Sequence, residues 1–126
     1  MTKQFTLGKK ERLKSRKKID LLFTKGSKFT VNPFRIYFIV GDEEAGMLQF
    51  GTGVSNKNFK KAVDRNRIKR LIREAYRLQK VELQEKLIQQ QKSLDIFFIY
   101  TGHELPTYTI VFEAMKKALN KMIQQL

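Results

Sequence analysis

The sequence predicts an α+β fold, with a single mixed sheet of about four strands packed against helices. Three observations lead there. Apolar side chains recur at helical spacing from about Phe59 to Gln79 and again from Tyr108 onward. Phe34–Val40 and Met47–Ser55 alternate with a period of two. Between the helical segments, "LDIFFIY" is an almost unbroken apolar run of strand length. With 126 residues, 41% of them hydrophobic and including ten Phe and four Tyr, the chain holds one core and one domain spanning 1–126.

The elements follow in order. The first dozen residues read as a basic arm, flexible over 1–10. "SRKKIDLLFTKG" reads as a short helix with Ser15 as N-cap, Ile19, Leu22 and Phe23 at helical spacing and Gly26 closing the end. In the strand that follows, Phe34, Ile36, Phe38 and Val40 share one face and Arg35, Tyr37 and Ile39 the other. "GDEEAG" is an acidic turn. The next strand places Leu48, Phe50, Thr52 and Val54 on one face, and Gly51 and Gly53 on the other. Paired glycines mark either a close approach to the backbone or a kink or bulge, and the bulge is the simpler reading.

A long helix over about Phe59–Gln79 carries an apolar stripe of Ile68, Leu71, Ile72, Ala75 and Leu78. Asn66, Lys69, Arg70, Arg73 and Arg77 form a polar stripe on another side. "KVELQEKLIQQQK" extends that helix or forms a second one. "LDIFFIY" reads as a strand buried on both faces. Thr107 caps a last helix whose face holds Tyr108, Val111, Phe112, Met115, Leu119, Met122 and Ile123.

The charge pattern carries the functional argument. The formal net charge is +14, and it is concentrated. Residues 1–28 hold ten Lys/Arg against two Asp/Glu, residues 57–77 hold nine against two, and the remainder is nearly balanced. Two cationic segments on a balanced domain form the footprint expected for a polyanion, and nucleic acid is favoured over an anionic membrane or an acidic protein. In the helix, only Asp64 and Glu74 interrupt the basic residues, whereas a simple solvated face mixes signs. Arginine's planar fork grips phosphate oxygens with two hydrogen bonds. Tyr37 and Arg35 share a sheet face beside the two glycines, with Ile19 and Phe23 as a wall. That surface suits an unpaired strand, or else the rings complete the core.

Several chemistries are excluded or unsupported. The chain has no Cys, hence no disulfide and no thiolate metal site. No apolar run reaches the roughly 20 residues of a membrane span, and the basic N-terminus has no apolar segment after its charges. A cytoplasmic protein is expected, with no membrane partner and no obligate protein partner indicated. His103 is the only histidine and sits in a loop without an orienting partner. Asp42, Glu43 and Glu44 are adjacent in a turn and do not converge on a metal. No nucleophile motif or phosphate loop occurs. No catalytic residue and no metal ligand is therefore assigned.

"AVDRNRIKRLIREAYR" closely resembles the signature helix of the protein subunit of bacterial ribonuclease P. The matching positions are Arg65, Asn66, Arg67, Lys69, Arg70, Arg73 and Glu74. "RLKSRKKIDLLFTKG", "FRIYFIV", "GVSNK", "LDIFFIY" and "PTYTIVFEAMKKAL" resemble the family's first helix, second strand, third-strand end, last strand and last helix. The resemblance covers about residues 10–123. It implies a fold like the second domain of ribosomal protein S5, with a left-handed βαβ crossover where handedness statistics alone predict a right-handed one. It also implies an accessory protein subunit of an endoribonuclease whose catalytic centre is an RNA. That RNA removes the 5′ leader of precursor tRNA with Mg²⁺, held mainly by the RNA subunit.

Under this resemblance Arg65, Asn66, Arg67, Lys69, Arg70 and Arg73 face the catalytic RNA. Ile19, Phe23, Tyr37, Ser55, Lys57 and Lys61 face the single-stranded leader. Ile19 replaces an aromatic usual in the family, one extra residue stands between Ser55 and Ala62, and the segment after Arg77 is longer and more helical than expected. The alternatives are a structural ribosome-associated protein and a self-sufficient metal-dependent nuclease.

Overall fold

The computed structural model describes residues 11–126 except Glu43. The flexible basic arm expected over 1–10 lies outside the described residues, as does the middle of the acidic turn. The elements run α1 (Arg16–Lys25), β1 (Ser27–Val31), β2 (Phe34–Gly41), β3 (Leu48–Val54), α2 (Ala62–Gln79), α3 (Val81–Gln90), β4 (Ser93–Tyr100) and α4 (Tyr108–Gln124). The four strands form one mixed sheet in the order β1-β2-β4-β3. β1 and β4 each pair antiparallel with β2, and β3 pairs parallel with β4. The parallel pair requires a crossover, which α2 and α3 supply.

Alternation decides which face is covered. Phe34, Ile36, Phe38, Leu48, Phe50, Leu94, Ile96, Phe98 and Tyr100 all project to one side and are buried there. Ile68, Ile72, Ala75 and Tyr76 of α2, Leu83 and Leu87 of α3, and Val111, Ala114, Met115, Ala118, Leu119 and Met122 of α4 close over them. Each fully buried aliphatic or aromatic side chain of this kind contributes roughly 1.5–3 kcal/mol. The Tyr76 ring stacks on Phe50 with centroids 3.9 Å apart and planes 8° from parallel. Tyr76 is fully buried where the periodicity points to Leu78, which is 42% exposed. The stripe advances from Ile72 through Ala75 and Tyr76, and Leu78 falls off its edge.

α1 packs on the opposite face, seating Leu22 in full burial. It covers only part of that face, so β4 is not the doubly buried strand expected. Its residues alternate, with Leu94, Ile96, Phe98 and Tyr100 buried and Asp95, Phe97 and Ile99 half-buried. Ser15 caps α1, its Oγ accepting from the Lys18 N–H at 3.4 Å. Gly26 ends α1 with φ −73° and not in a left-handed conformation. A Cβ there would stand 2.5 Å from the Leu22 carbonyl oxygen. Glycine is required at this point for space.

The helix expected from Phe59 begins at Ala62. Phe59 instead turns into the core, its ring 6.0 Å from Tyr100, and Asn58 Nδ2 donates to the Gly102 carbonyl at 3.3 Å. The segment after Gln79 is a second helix. The break falls at Lys80, whose side chain is 1% exposed and ion-paired to Glu11. α3 stops at Gln91, which adopts φ 54° and ψ 46°. There the Gln91 N–H bonds to Ile88 O at 3.1 Å and the Lys92 N–H to Leu87 O at 2.9 Å, the Schellman pattern. Thr107 caps α4 as expected, accepting from the Ile110 N–H at 3.3 Å.

β3 is an edge strand, and an unpaired edge is a site for unwanted pairing. Here the chain covers it. The Leu13 N–H donates to Phe50 O at 2.8 Å, Arg12 bridges Phe50 in parallel sense, and Leu13 is buried. The last residues of the expected arm are thus docked.

The two glycines of β3 form no bulge, because the β3–β4 register runs unbroken from Leu48 to Val54. They admit the Phe97 ring. A Cβ at Gly51 would lie 2.6 Å from Phe97 Cδ2, and one at Gly53 3.2 Å from Cε1. Gly51→Ala is expected to destabilise by about 1–3 kcal/mol, the usual range for overpacking. Gly53→Ala should stay within about 1 kcal/mol of the parent. Urea unfolding of both variants checks this ordering.

Candidate nucleic-acid interface

The buried stripe of α2 fixes its polar side outward. Asn66, Arg67 and Arg70 are exposed, and Lys69 and Arg73 are half-buried. Among the described residues none of these cations has an ion-pair partner. Arg73 is crowded: burial, and then the positive charges of Arg12 and Arg70, hold its guanidinium below the ordinary arginine value. The other two arginines of α2, Arg65 and Arg77, are engaged. Arg77 Nη2 donates to both Glu74 carboxylate oxygens at 2.7 Å. Those hydrogen bonds hold the Glu74 carboxyl below its ordinary range.

Arg65 stands apart from the other five residues assigned to this face. Its Nη1 donates to the carbonyls of Phe59 and Lys60, each at 2.8 Å. It tethers the loop that joins β3 to α2, in place of the side-chain cap that Lys61 does not provide.

That loop leads to the second surface. On the face of the sheet that carries α1, the strand registers align Lys28, Tyr37, Phe97 and Gly51 in one row across all four strands. Phe23 stands over the row, edge-on to Tyr37 at 4.9 Å and to Phe97 at 5.4 Å, and is 43% exposed. Ile19 lies one helical turn before Phe23 and is half-buried. The adjoining row holds Arg35, Ile99 and Gly53. Ser55 follows the end of β3, its Oγ accepting from the Lys57 N–H at 3.1 Å. Lys57 and Lys61 are exposed on the loop.

The structure therefore brings Phe23 and Tyr37 together as one apolar wall, with Ile19 one turn back along α1. It sets Ser55, Lys57 and Lys61 at the end of β3, beside the start of the cationic helix. Phe97 belongs to the wall, although in the sequence it reads as one more core residue in an apolar run. Its signal lies in the glycines of β3, which leave space for one large ring. Arg12, at the end of the expected arm, and Lys14, just after it, carry no site signal in the sequence and join the surface only in the fold.

His103 is exposed in its loop. Among the described residues, no group of three or more His, Asp or Glu side chains could hold a metal ion. No helix among them is long and apolar enough to cross a membrane.

Comparison with known proteins places the chain in a family. The Ribonuclease P family model matches residues 7–126. The chain belongs to the ribonuclease P protein family. The "Ribonuclease P protein component" of Porphyromonas gingivalis strain ATCC 33277 is 41% identical over 116 residues, covering 91% of this chain and 85% of that protein. Its counterpart in Legionella pneumophila strain Corby is 37% identical over 73 residues, covering 58% of this chain and 62% of that protein. The structure of the Staphylococcus aureus RNase P protein superposes with a TM-score of 0.72 at 24% identity, covering 89% of this chain and 94% of that one. The mixed four-stranded α+β fold is thus that of a ribonuclease P protein.

As a ribonuclease P protein component, the chain is the accessory subunit of an endoribonuclease whose catalysis lies in the RNA. The contrast between its arginines is directly measurable. Arg65→Ala should cost about 1–2 kcal/mol of stability, because it removes two charge-assisted hydrogen bonds at a partly exposed site. Arg67→Ala should change stability by no more than about 0.5 kcal/mol. Thermal unfolding of the two variants in the absence of RNA tests this difference.

Proposed function

We propose that this chain binds the catalytic RNA of ribonuclease P through α2 and holds the single-stranded 5′ leader of precursor tRNA on the sheet face beneath α1. One observation carries the reading. A rigid cationic face, without counter-ions among the described residues, adjoins, through a single loop tethered by Arg65, a partly open aromatic row. Phosphates suit the first surface and unpaired bases the second.

On α2, Asn66, Arg67, Lys69, Arg70 and Arg73 make the RNA contacts, with Asn66 offering neutral donor and acceptor groups between charged neighbours. Arg65 acts chiefly by holding the loop in position. On the leader side, Phe23 offers an exposed ring face, and Ile19 and Tyr37 support it. Ser55, Lys57 and Lys61 follow the backbone out of the cleft. Ile19 supplies apolar contact where an aromatic would stack.

The hydrolytic step belongs to the RNA, and Mg²⁺ held mainly by that RNA supplies charge stabilisation at the cleaved phosphodiester. The protein screens repulsion between two polyanions and fixes the leader, working in the cytoplasm.

Precursor tRNA cleavage at low Mg²⁺, with a bacterial catalytic RNA and with or without this protein, is the deciding assay. Stimulation is expected, and its absence rejects the reading. Arg67→Ala with Arg70→Ala should lower the log–log salt slope of RNA binding by about 0.7–0.9 per phosphate no longer neutralised. Phe23→Ala should weaken holoenzyme binding of precursor tRNA by about 1–3 kcal/mol, the worth of one stacked base, and leave binding of leaderless tRNA unchanged.

A further inference from the structure

Residues 12–14 do more than cover the edge of β3. With Phe50, Gly51 and Thr52 of β3 and Lys69 and Arg73 of α2, Arg12, Leu13 and Lys14 line an open pocket of about 260 Å³. Four of its eight lining residues are cationic, and among the described residues no carboxylate pairs with any of the four. Arg12 and Lys14 stand more than fifty residues before Lys69 and Arg73 in sequence, so no local helix pattern produces this convergence.

The segment is held on this spot by three attachments. The Leu13 N–H donates to Phe50 O at 2.8 Å, the Leu13 side chain is buried, and Glu11 pairs with the enclosed Lys80 ammonium. Glu11 occupies the one acidic position in the segment and turns to Lys80, leaving Arg12 and Lys14 for the pocket. Bringing four cations around one cavity is unfavourable unless an anion enters. Burial and the Arg12 charge already depress the basicity of Arg73, as expected for a site short of negative charge.

We propose that this pocket receives one backbone phosphodiester of the catalytic RNA, gripped by Arg12 and Lys14 from one side and by Lys69 and Arg73 from the other. The Glu11–Lys80 pair is then a positioning device that sets the wall formed by residues 12–14. The inference rests on the RNA-binding reading of α2 and adds a docked N-terminal segment to it. The RNA-binding surface is in this view built from two chain segments, and its geometry depends on an ion pair that never meets the RNA.

The test measures affinity for the catalytic RNA across a salt series, with thermal unfolding of each variant alongside. Arg12→Gln with Lys14→Gln should lower the log–log slope by about 0.7–0.9 for each phosphate no longer neutralised, with a Tm no lower than the parent's. Glu11→Gln with Lys80→Met removes both charges of the latch, keeps the net charge of the protein and leaves no unpaired ion in the core. It should lower the slope in the same direction although no RNA-facing cation has been touched.

If Arg12→Gln with Lys14→Gln keeps the full slope while Arg67→Ala with Arg70→Ala reduces it, the pocket is overturned and the α2 reading stands. If neither pair reduces the slope, the α2 reading falls as well. A defect confined to holoenzyme binding of precursor tRNA overturns the assignment to the catalytic RNA. A full slope in the Glu11→Gln, Lys80→Met variant at parental Tm overturns the positioning role.

Discussion

The packing of α2 on the sheet is the constraint on which the rest depends. Along this helix Arg65 and Lys69, Lys69 and Arg73, and Arg73 and Arg77 stand four residues apart with like charge. Each such pair costs a few tenths of a kcal/mol, so the three together cost about 1 kcal/mol. Full burial of Ile68, Ile72 and Tyr76, with Tyr76 stacked on Phe50, contributes roughly 1.5–3 kcal/mol per side chain. Burial wins by several-fold. The repulsion is borne by the tertiary structure, and the cationic face is presented as a fixed surface.

Once α2 is anchored, the cations around it have different fates. Arg77 is neutralised by Glu74. Arg65 secures the loop before the helix. Lys80 is buried at the helix break and answered by Glu11. Arg67 and Arg70 face outward, and Lys69 and Arg73 meet Arg12 and Lys14 across a pocket. Net charge alone treats these groups as equivalent. Hydrogen-bond partners and burial separate the residues that build the surface from those that offer it to a ligand.

The opposite face of the sheet shows how one packing choice links two strands. Gly51 and Gly53 have no side chain, the Phe97 ring fills that space, and Phe23 then stands edge-on to Phe97 and Tyr37. The aromatic row exists because glycines on β3 and a phenylalanine on β4 fall in register through parallel pairing. Since α1 covers only part of this face, Phe23 keeps an exposed surface.

Much was legible in the sequence because it is local. The strand alternation from Phe34 to Val40, the Ser15 and Thr107 caps, the stripe through Ile68 and Ile72 and the signature from Arg65 to Arg73 are set by spacing along one segment. That determined the fold class, the cationic helix and, through the resemblance, the family. Only the tertiary structure decided what depends on two distant segments meeting. It placed Tyr76 rather than Leu78 in the core, made the glycines a seat for Phe97 instead of a bulge, turned Arg65 back to the loop and docked residues 12–14 on the edge of β3. The reason is physical: helix and strand periods are properties of neighbouring residues, whereas a counter-charge or an empty volume is supplied by whatever the fold brings alongside.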